Sequence, residues 1–238
     1  MHVILPSAGK GTRLGLPYPK EIHRVVEGAS LIDFSLSHIL GENLVKRISL
    51  TISPEKQAVV DYVRSKTSEI EVCTSLFDER YTEWPGSILS AQEHFMDRNI
   101  ALLPDSSITP RPNTPLMHSF SSSFENGYDI VFAYLPVDNN QNISALGALK
   151  IAENGRDVVD FCDKPSEQSS AKYNAFWTAF GFTAEASNSL LELMMRSVAR
   201  EPVDILSLGF NIGAFPVDGY IDLGTWANMR RFQAGGNR

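Results

Sequence analysis

The chain carries only two cysteines, Cys73 and Cys162, in 238 residues. That is too few for the disulfide scaffold of a small secreted domain, so both are expected as buried, reduced thiols. Long apolar runs are missing as well. No segment approaches the ~18 consecutive apolar residues that cross a bilayer, which leaves no membrane partner to expect. The opening run from Met1 to Leu5 is too short for a signal-peptide core and has no charged leader, so a cytoplasmic location is expected. Positive charge is not in excess: 21 Lys and Arg against 28 Asp and Glu leave a net charge of −7. A protein that coats nucleic acid usually shows a basic face, and none is expected here. His23, His38, His94 and His118 show no metal-ligand spacing, and no paired-cysteine metal pattern or Ser-His-Asp order stands out.

What is present describes an ordinary globular enzyme-sized chain. Hydrophobic residues make up 43% and charged residues 21%, and a chain this long buries roughly 70–75% of its unfolded surface without a metal or disulfide staple. Apolar strand runs at 3–5, 48–52, 70–73 and 100–103 alternate with amphipathic stretches. Ser30 is placed to cap a helix over 30–40, with Leu31, Phe34, Leu36, Ile39 and Leu40 inward. Ser53-Pro54-Glu55 opens a second helix with proline in its first turn, and residues 85–95 read as a third. This alternation predicts parallel pairing through right-handed crossovers, with ligands bound outside the carboxyl ends of the strands.

After Asp105 the pattern changes. Ser, Thr and Pro crowd residues 106–115, which read as a long loop. A strand is expected over 130–135. Strands over 145–152 and 157–161 flank Glu153-Asn154-Gly155, where Asn-Gly signals a hairpin. A strand over 176–182, a helix over 185–198 and a terminal helix over 224–232 follow, with 234–238 as a frayed tail. Trp84, Phe176, Trp177 and the Met194-Met195 pair are expected to pack in the core or at an interface. No repeat and no linker divides the chain. The expectation is one α/β domain over 1–238, with 1–105 binding one substrate and 106–238 the other, and an antiparallel insertion in a mostly parallel sheet.

The first strand runs directly into Ser7-Ala8-Gly9-Lys10-Gly11-Thr12-Arg13-Leu14-Gly15. Small residues let backbone amides approach a polyanion, and Lys10, Arg13 and Lys20 add positive charge beside them. Two phosphate motifs fail the test of spacing. A Walker A loop needs Lys followed by Ser or Thr, but Lys10 is followed by Gly11. The dinucleotide fingerprint needs a third glycine three residues after the second, whereas Gly15 comes four after Gly11 and Pro17 and Pro19 then interrupt any helix.

Gly9-x-Gly11-Thr12-Arg13 followed by Pro19-Lys20 resembles the signature of the sugar-phosphate nucleotidyltransferases. The seven-residue interval from Arg13 to Lys20, with His23 beyond it, is most similar to the N-acetylglucosamine-1-phosphate uridylyltransferase domain. The resemblance spans nearly the whole chain. It implies a Rossmann-like, GT-A-like sheet sandwiched by helices, and transfer of NMP from an NTP to a sugar 1-phosphate or similar phosphate acceptor with release of pyrophosphate. It implies nucleotide contacts from Ser7, Ala8, Gly9, Lys10, Gly11 and Thr12, and from Gly86-Ser87 at a helix start. Arg13, Lys20 and Asp105 are the implied catalytic groups. Leu102-Leu103-Pro104-Asp105 and Asp222-Leu223-Gly224-Thr225 are similar to the elements that supply two carboxylates, Asp105 and Asp222, to Mg²⁺. Gly147, Asp163 and Lys164, the last two within Phe161-Cys162-Asp163-Lys164-Pro165, are the implied acceptor contacts. Because the sequence stops soon after the expected terminal helix, the left-handed β-helix of some members and its acyltransferase activity are not expected; oligomers are usual in the family, so the resemblance implies a possible homo-oligomer.

The chain departs from that pattern in several places. Ser7 stands for the first alanine, and Arg80-Tyr81-Thr82-Glu83 lacks a glutamine before the base-binding glycine. Asp163 is one methylene shorter than the usual Glu, Thr178-Ala179-Phe180-Gly181 lacks an Asn, and Tyr220 replaces a Trp. These changes leave the base and acceptor open among UTP, dTTP, CTP, GTP, sugars, cyclitols and phosphorylated alcohols. Two rival functions are a glycosyltransferase of related topology and a non-catalytic nucleotide sensor. The first commonly uses Asp-x-Asp, which Leu103-Pro104-Asp105-Ser106-Ser107 lacks. The second needs no pair of metal carboxylates.

Overall fold

Alternation of side chains along the opening strand settles which layer each belongs to. In a computed structural model describing residues 1–41, 43–81, 83–137, 143–144 and 146–235, strand β1 (His2–Pro6) sends Val3 and Leu5 into one apolar cluster and Ile4 into another. Helices therefore cover both faces of the sheet. The hairpin β2 (Arg24–Val26) and β3 (Ala29–Ser30) follows, then α1 (Asp33–Leu36), β4 (Arg47–Ile52), α2 (Gln57–Lys66), β5 (Glu71–Leu76), α3 (Trp84–Leu89) and β6 (Arg98–Leu102). The second half adds β7 (Ser106–Thr109), α4 (Leu116–Glu125), β8 (Ile130–Pro136), β9 (Gly147–Ile151), β10 (Val158–Asp163) and α5 (Glu167–Ser170). It ends with β11 (Ala175–Thr183), α6 (Ser187–Val198), β12 (Ile212–Pro216), β13 (Gly219–Asp222) and α7 (Trp226–Gln233).

Parallel neighbours β5, β4, β1 and β6 form one side of the main sheet. Strand β11 enters antiparallel between β6 and β8, and β12 pairs parallel with β8. The β9–β10 hairpin leaves from the start of β11, where Ala175 and Phe176 pair with Leu149 and Ala148. This is the mostly parallel mixed sheet with an antiparallel insertion that the sequence predicts. The carboxyl ends of β1, β4 and β6 open on one edge, where ligands of open α/β sheets bind.

Several expectations need correction. Residues 106–115 do not form one loop: Ser106–Thr109 is a strand that pairs antiparallel with β13, Asp222 facing Ser106. Ser106 and Ile108 alternate inward, a period-2 pattern that the surrounding prolines mask. The helix expected over 30–40 is a single turn, because Ser30 lies in β3 and its amide donates to the Asp33 carboxylate rather than its hydroxyl capping a helix. The helix over 85–95 splits into α3 and a 3₁₀ turn at Gln92–His94. Helix α4, the β2–β3 hairpin and strands β12 and β13 are elements beyond those the sequence predicts. Cys73 and Cys162 are free but half-buried, not buried. Phe176, Trp177 and Met194 are buried as expected. Thr82, Ala145 and residues 236–238 of the expected tail lie outside the described residues. Among the described residues, no helix is long and apolar enough to cross a membrane.

Candidate active site

The glycine-rich segment leaves β1 with Ser7 anchored: its amide donates to the Thr51 carbonyl at 2.8 Å, and its buried hydroxyl donates to Leu5 at 3.2 Å. Gly11 adopts φ +66°, a conformation that L side chains rarely hold. The turn closes through Leu14 and Gly15 amides donating to the Gly11 carbonyl. Between these anchors, the amides of residues 9–13 donate to no backbone carbonyl among the described residues. Successive outward amides of this kind form an anion-binding concavity. Gly9, Lys10, Thr12 and Arg13 are exposed around it.

Lys20 closes the segment from beneath. Its stem packs where a Gly11 side chain would begin, with Cβ, Cγ and Cδ all 3.5 Å from that point. Its ammonium donates to Asp105 Oδ2, at the mouth of β6. Across the same space, Arg13 Nη1 stands 3.4 Å from Asp222 Oδ2 at the end of β13. Gly224 shows how tightly these groups converge: a Cβ there would lie 2.8 Å from Asp222 Oδ1, 2.9 Å from Asp105 Oδ2 and 3.1 Å from Arg13 Nη2. The β7–β13 pairing causes this convergence, because it sets the strand after Asp105 beside the strand ending in Asp222. The Leu223 amide donates to the Asp105 carbonyl at 2.8 Å and the Gly224 amide to Asp222 Oδ1 at 2.7 Å. Burial pushes the Tyr220 phenol well above its ordinary range, and the nearby carboxylates of Asp222 and Asp105 add to the shift.

Two carboxylates within 3 Å of one point form a hard, all-oxygen donor set. Such a pair, completed by phosphate oxygens and water, suits Mg²⁺. Among the described residues there is no cluster of three or more His, Cys, Asp or Glu that would mark a softer or fully caged metal site.

Gly86 and Ser87 are buried inside α3, not displayed at its surface. Tyr81 lies on Gly86, so that a Cβ there would meet the tyrosine Cβ at 2.1 Å. Thr51 links this helix to the glycine-rich segment: its hydroxyl donates to the Ser87 carbonyl at 2.6 Å while its carbonyl accepts from Ser7.

Gly147 and Asp163 are partners across the β9–β10 hairpin and share a face. The Trp177 indole lies over Gly147, with Nε1 only 1.7 Å from where a Cβ would sit. Trp177 Nε1 and Asp163 Oδ2 are both buried and have no hydrogen-bond partner among the described residues. Burial raises the Asp163 carboxyl; Lys164 partly offsets this and Glu83 adds to it. Lys164 is exposed with φ +50°. Trp84 packs on Trp177 at 5.1 Å and so joins this group to α3. Among the described residues, no hydrogen bond or ion pair links Asp163 or Lys164 to the Lys20–Asp105 group.

Residues with no motif signal in the sequence hold the site together. Lys56 and Glu21 form a buried ion pair beneath the glycine-rich segment. Trp226 in α7 donates its indole N–H to the Leu14 carbonyl at 3.0 Å and meets His23 edge-on. A lysine in the first turn of a helix usually signals a solvated face, so only the topology reveals Lys56.

A family model described as nucleotidyl transferase matches residues 2–229. No curated protein matches the sequence. An apo UDP-glucose pyrophosphorylase has a TM-score of 0.80 at 15% identity, over 99% of this chain and 97% of that one. A UDP-glucose pyrophosphorylase complexed with UDP-glucose gives the same values. A UTP-bound UGPase from Acinetobacter baumannii has a TM-score of 0.78 at 15% identity, over 99% of this chain and 92% of that one. At such identities the solved structures share the fold with this chain. The family model covers both the glycine-rich segment and the two carboxylate-bearing strand ends, and on that span the chain belongs to the nucleotidyl transferase family.

Proposed function

We propose that the protein joins an NTP to a sugar 1-phosphate, giving an NDP-sugar and pyrophosphate, over the whole chain from 1 to 238. One observation carries this reading: two cations from the glycine-rich segment and its following turn are each ion-paired with one of two carboxylates that converge beside Gly224. An oxygen of the acceptor phosphate attacks the α-phosphorus, the bond from that phosphorus to the β-phosphate bridging oxygen breaks, and pyrophosphate leaves. Both reactants are anions, so positioning and positive charge are what the protein must supply.

The amides of residues 8–11, with Ser7 and Thr12 framing them, hold the triphosphate. Arg13 and Lys20 offset the charge that builds on the α-phosphate as it is attacked. Asp105 and Asp222 hold Mg²⁺, which draws charge from the phosphate oxygens when bound. Gly86 and Ser87 lie behind Tyr81, whose side chain covers Gly86 and would stand between them and the base. On the acceptor side, Gly147 and Asp163 meet sugar hydroxyls and Lys164 meets the phosphate.

Pyrophosphate release measured over four NTPs and a panel of sugar phosphates tests the reading. Release that requires both an NTP and one sugar 1-phosphate is the expected result, with UTP the first base to try. No release with any pair leaves a nucleotide-binding protein without transferase activity.

A further inference from the structure

We propose that Lys56 and Glu21 are positioning residues that turn the amides of Ala8 and Lys10 toward the triphosphate, an inference that rests on the function proposed above. Lys56 enters from the 3₁₀ turn Pro54–Lys56, just after β4. Its ammonium donates to the Ser7 carbonyl at 2.7 Å, the Gly9 carbonyl at 2.6 Å and both oxygens of Glu21 at 2.8 and 3.0 Å. Three N–H donors are thus fully engaged. Lys56 is 4% exposed and Glu21 is fully buried.

A trans peptide is planar, with its C=O and N–H pointing in opposite directions. The Ser7 carbonyl shares a peptide with the Ala8 amide, and the Gly9 carbonyl shares one with the Lys10 amide. Drawing both carbonyls inward onto one ammonium therefore aims both amides outward, into the concavity. Glu21 completes the device. It balances the buried charge, and it follows Lys20, the cation that donates to Asp105. Its own carbonyl accepts from the Ile32 amide at 2.9 Å, which fixes that turn to the fold. The β1 exit, the β4 exit and the Lys20 turn are thereby tied at a single atom.

Stability alone does not call for this pair. Burying two charges is costly, and an apolar pair of similar volume is often as stable or more so. What an apolar pair cannot do is hold two carbonyls.

The double variant Lys56→Met/Glu21→Leu separates the two roles. It is expected to fold with a lowered thermal midpoint, because the Ser7 and Gly9 carbonyls lose their donor, to bind UTP at least tenfold more weakly in calorimetry without acceptor, and to keep its acceptor KM within twofold. Wild-type UTP affinity in the folded variant would falsify the positioning role. A second measurement needs no variant: UTP added to the wild-type protein should shift the amide NMR signals of Ala8 and Lys10 and leave that of Ser7 in place. Unmoved Ala8 and Lys10 signals in a protein that binds UTP overturn the proposal even where the double variant does not fold. Wild-type protein that binds UTP yet releases no pyrophosphate with any acceptor overturns the transferase reading alone. Wild-type protein that binds no nucleoside triphosphate overturns both.

Discussion

Gly224 is where Asp105, Asp222 and Arg13 leave no spare volume. A methyl group there would press on two carboxylate oxygens and a guanidinium, so Gly224→Ala should fold but lose at least tenfold in turnover as the carboxylates are forced apart. Comparing its circular dichroism and steady-state rates with wild type checks this. In the mechanism proposed above, Lys20→Ala removes a charge-stabilising group, and such losses cost about 10²–10³ in rate. A Lys20→Ala enzyme within tenfold of wild type would take Lys20 out of the mechanism. Lys164→Ala should instead raise the acceptor KM more than it lowers kcat, since a phosphate-holding residue acts mainly on binding. Equal activity loss at saturating acceptor would contradict that role.

His2 supplies a residue-scale prediction of another kind. Its ring is fully buried between Asn99 Oδ1 at 2.9 Å from Nδ1 and the Ser49 hydroxyl at 2.8 Å from Nε2. The amide oxygen only accepts, so Nδ1 carries the proton and Nε2 accepts from Ser49 in the neutral ring. Burial lowers its pKa to about 4 from 6.5. A depressed folded value means the unfolded chain binds the proton first. Stability should therefore be full above pH 6.5 and fall by of order 3 kcal/mol as pH drops through about 4. Urea titrations from pH 7 to pH 4 on wild type and His2→Gln measure it; the variant should lose most of that slope.

At the scale of elements, α7 is tied to the glycine-rich segment by the Trp226 indole hydrogen bond to the Leu14 carbonyl and by the Leu14 side chain, which shares a buried apolar cluster with Met229. Trp226→Phe should cost about 1 kcal/mol in denaturant unfolding, the usual worth of one such bond. The parallel strands β1, β4, β5 and β6 were readable because compact apolar runs bounded by turn residues have few other homes. Asp105 is legible because it follows a recognisable strand, whereas Asp222 is legible only through the short Asp222-Leu223-Gly224-Thr225 motif, since β13 itself gives no strand signal. Strand β7 is not legible: its partner β13 lies over a hundred residues away, and Pro104, Pro110, Pro112 and Pro115 make its surroundings look like a loop. Lys56 and Glu21 were invisible because nothing local to either residue indicates burial. Trp177 was read as core, and it is buried. Its seat on Gly147, against the expected acceptor pocket, depends on the β9–β11 contact that only the fold supplies.

At the scale of the whole molecule, one antiparallel strand joins the two halves of the sheet. Strand β11 hydrogen-bonds to β6, β8 and β9, yet it arrives only at residues 175–183. Until it emerges from the ribosome, β6 and β8 have no neighbour between them and present unpaired backbone. Edges of that kind invite association with other chains. Fragments ending before Ala175 should accordingly bind hydrophobic dyes, lack fixed aromatic circular dichroism and aggregate, whereas the 238-residue chain, in which β11 and β12 both flank β8, should not. Long-range pairing of this sort also slows folding. Most of the translation time of this protein thus passes with its sheet divided, so a holding chaperone has its longest opportunity before the middle strand is made.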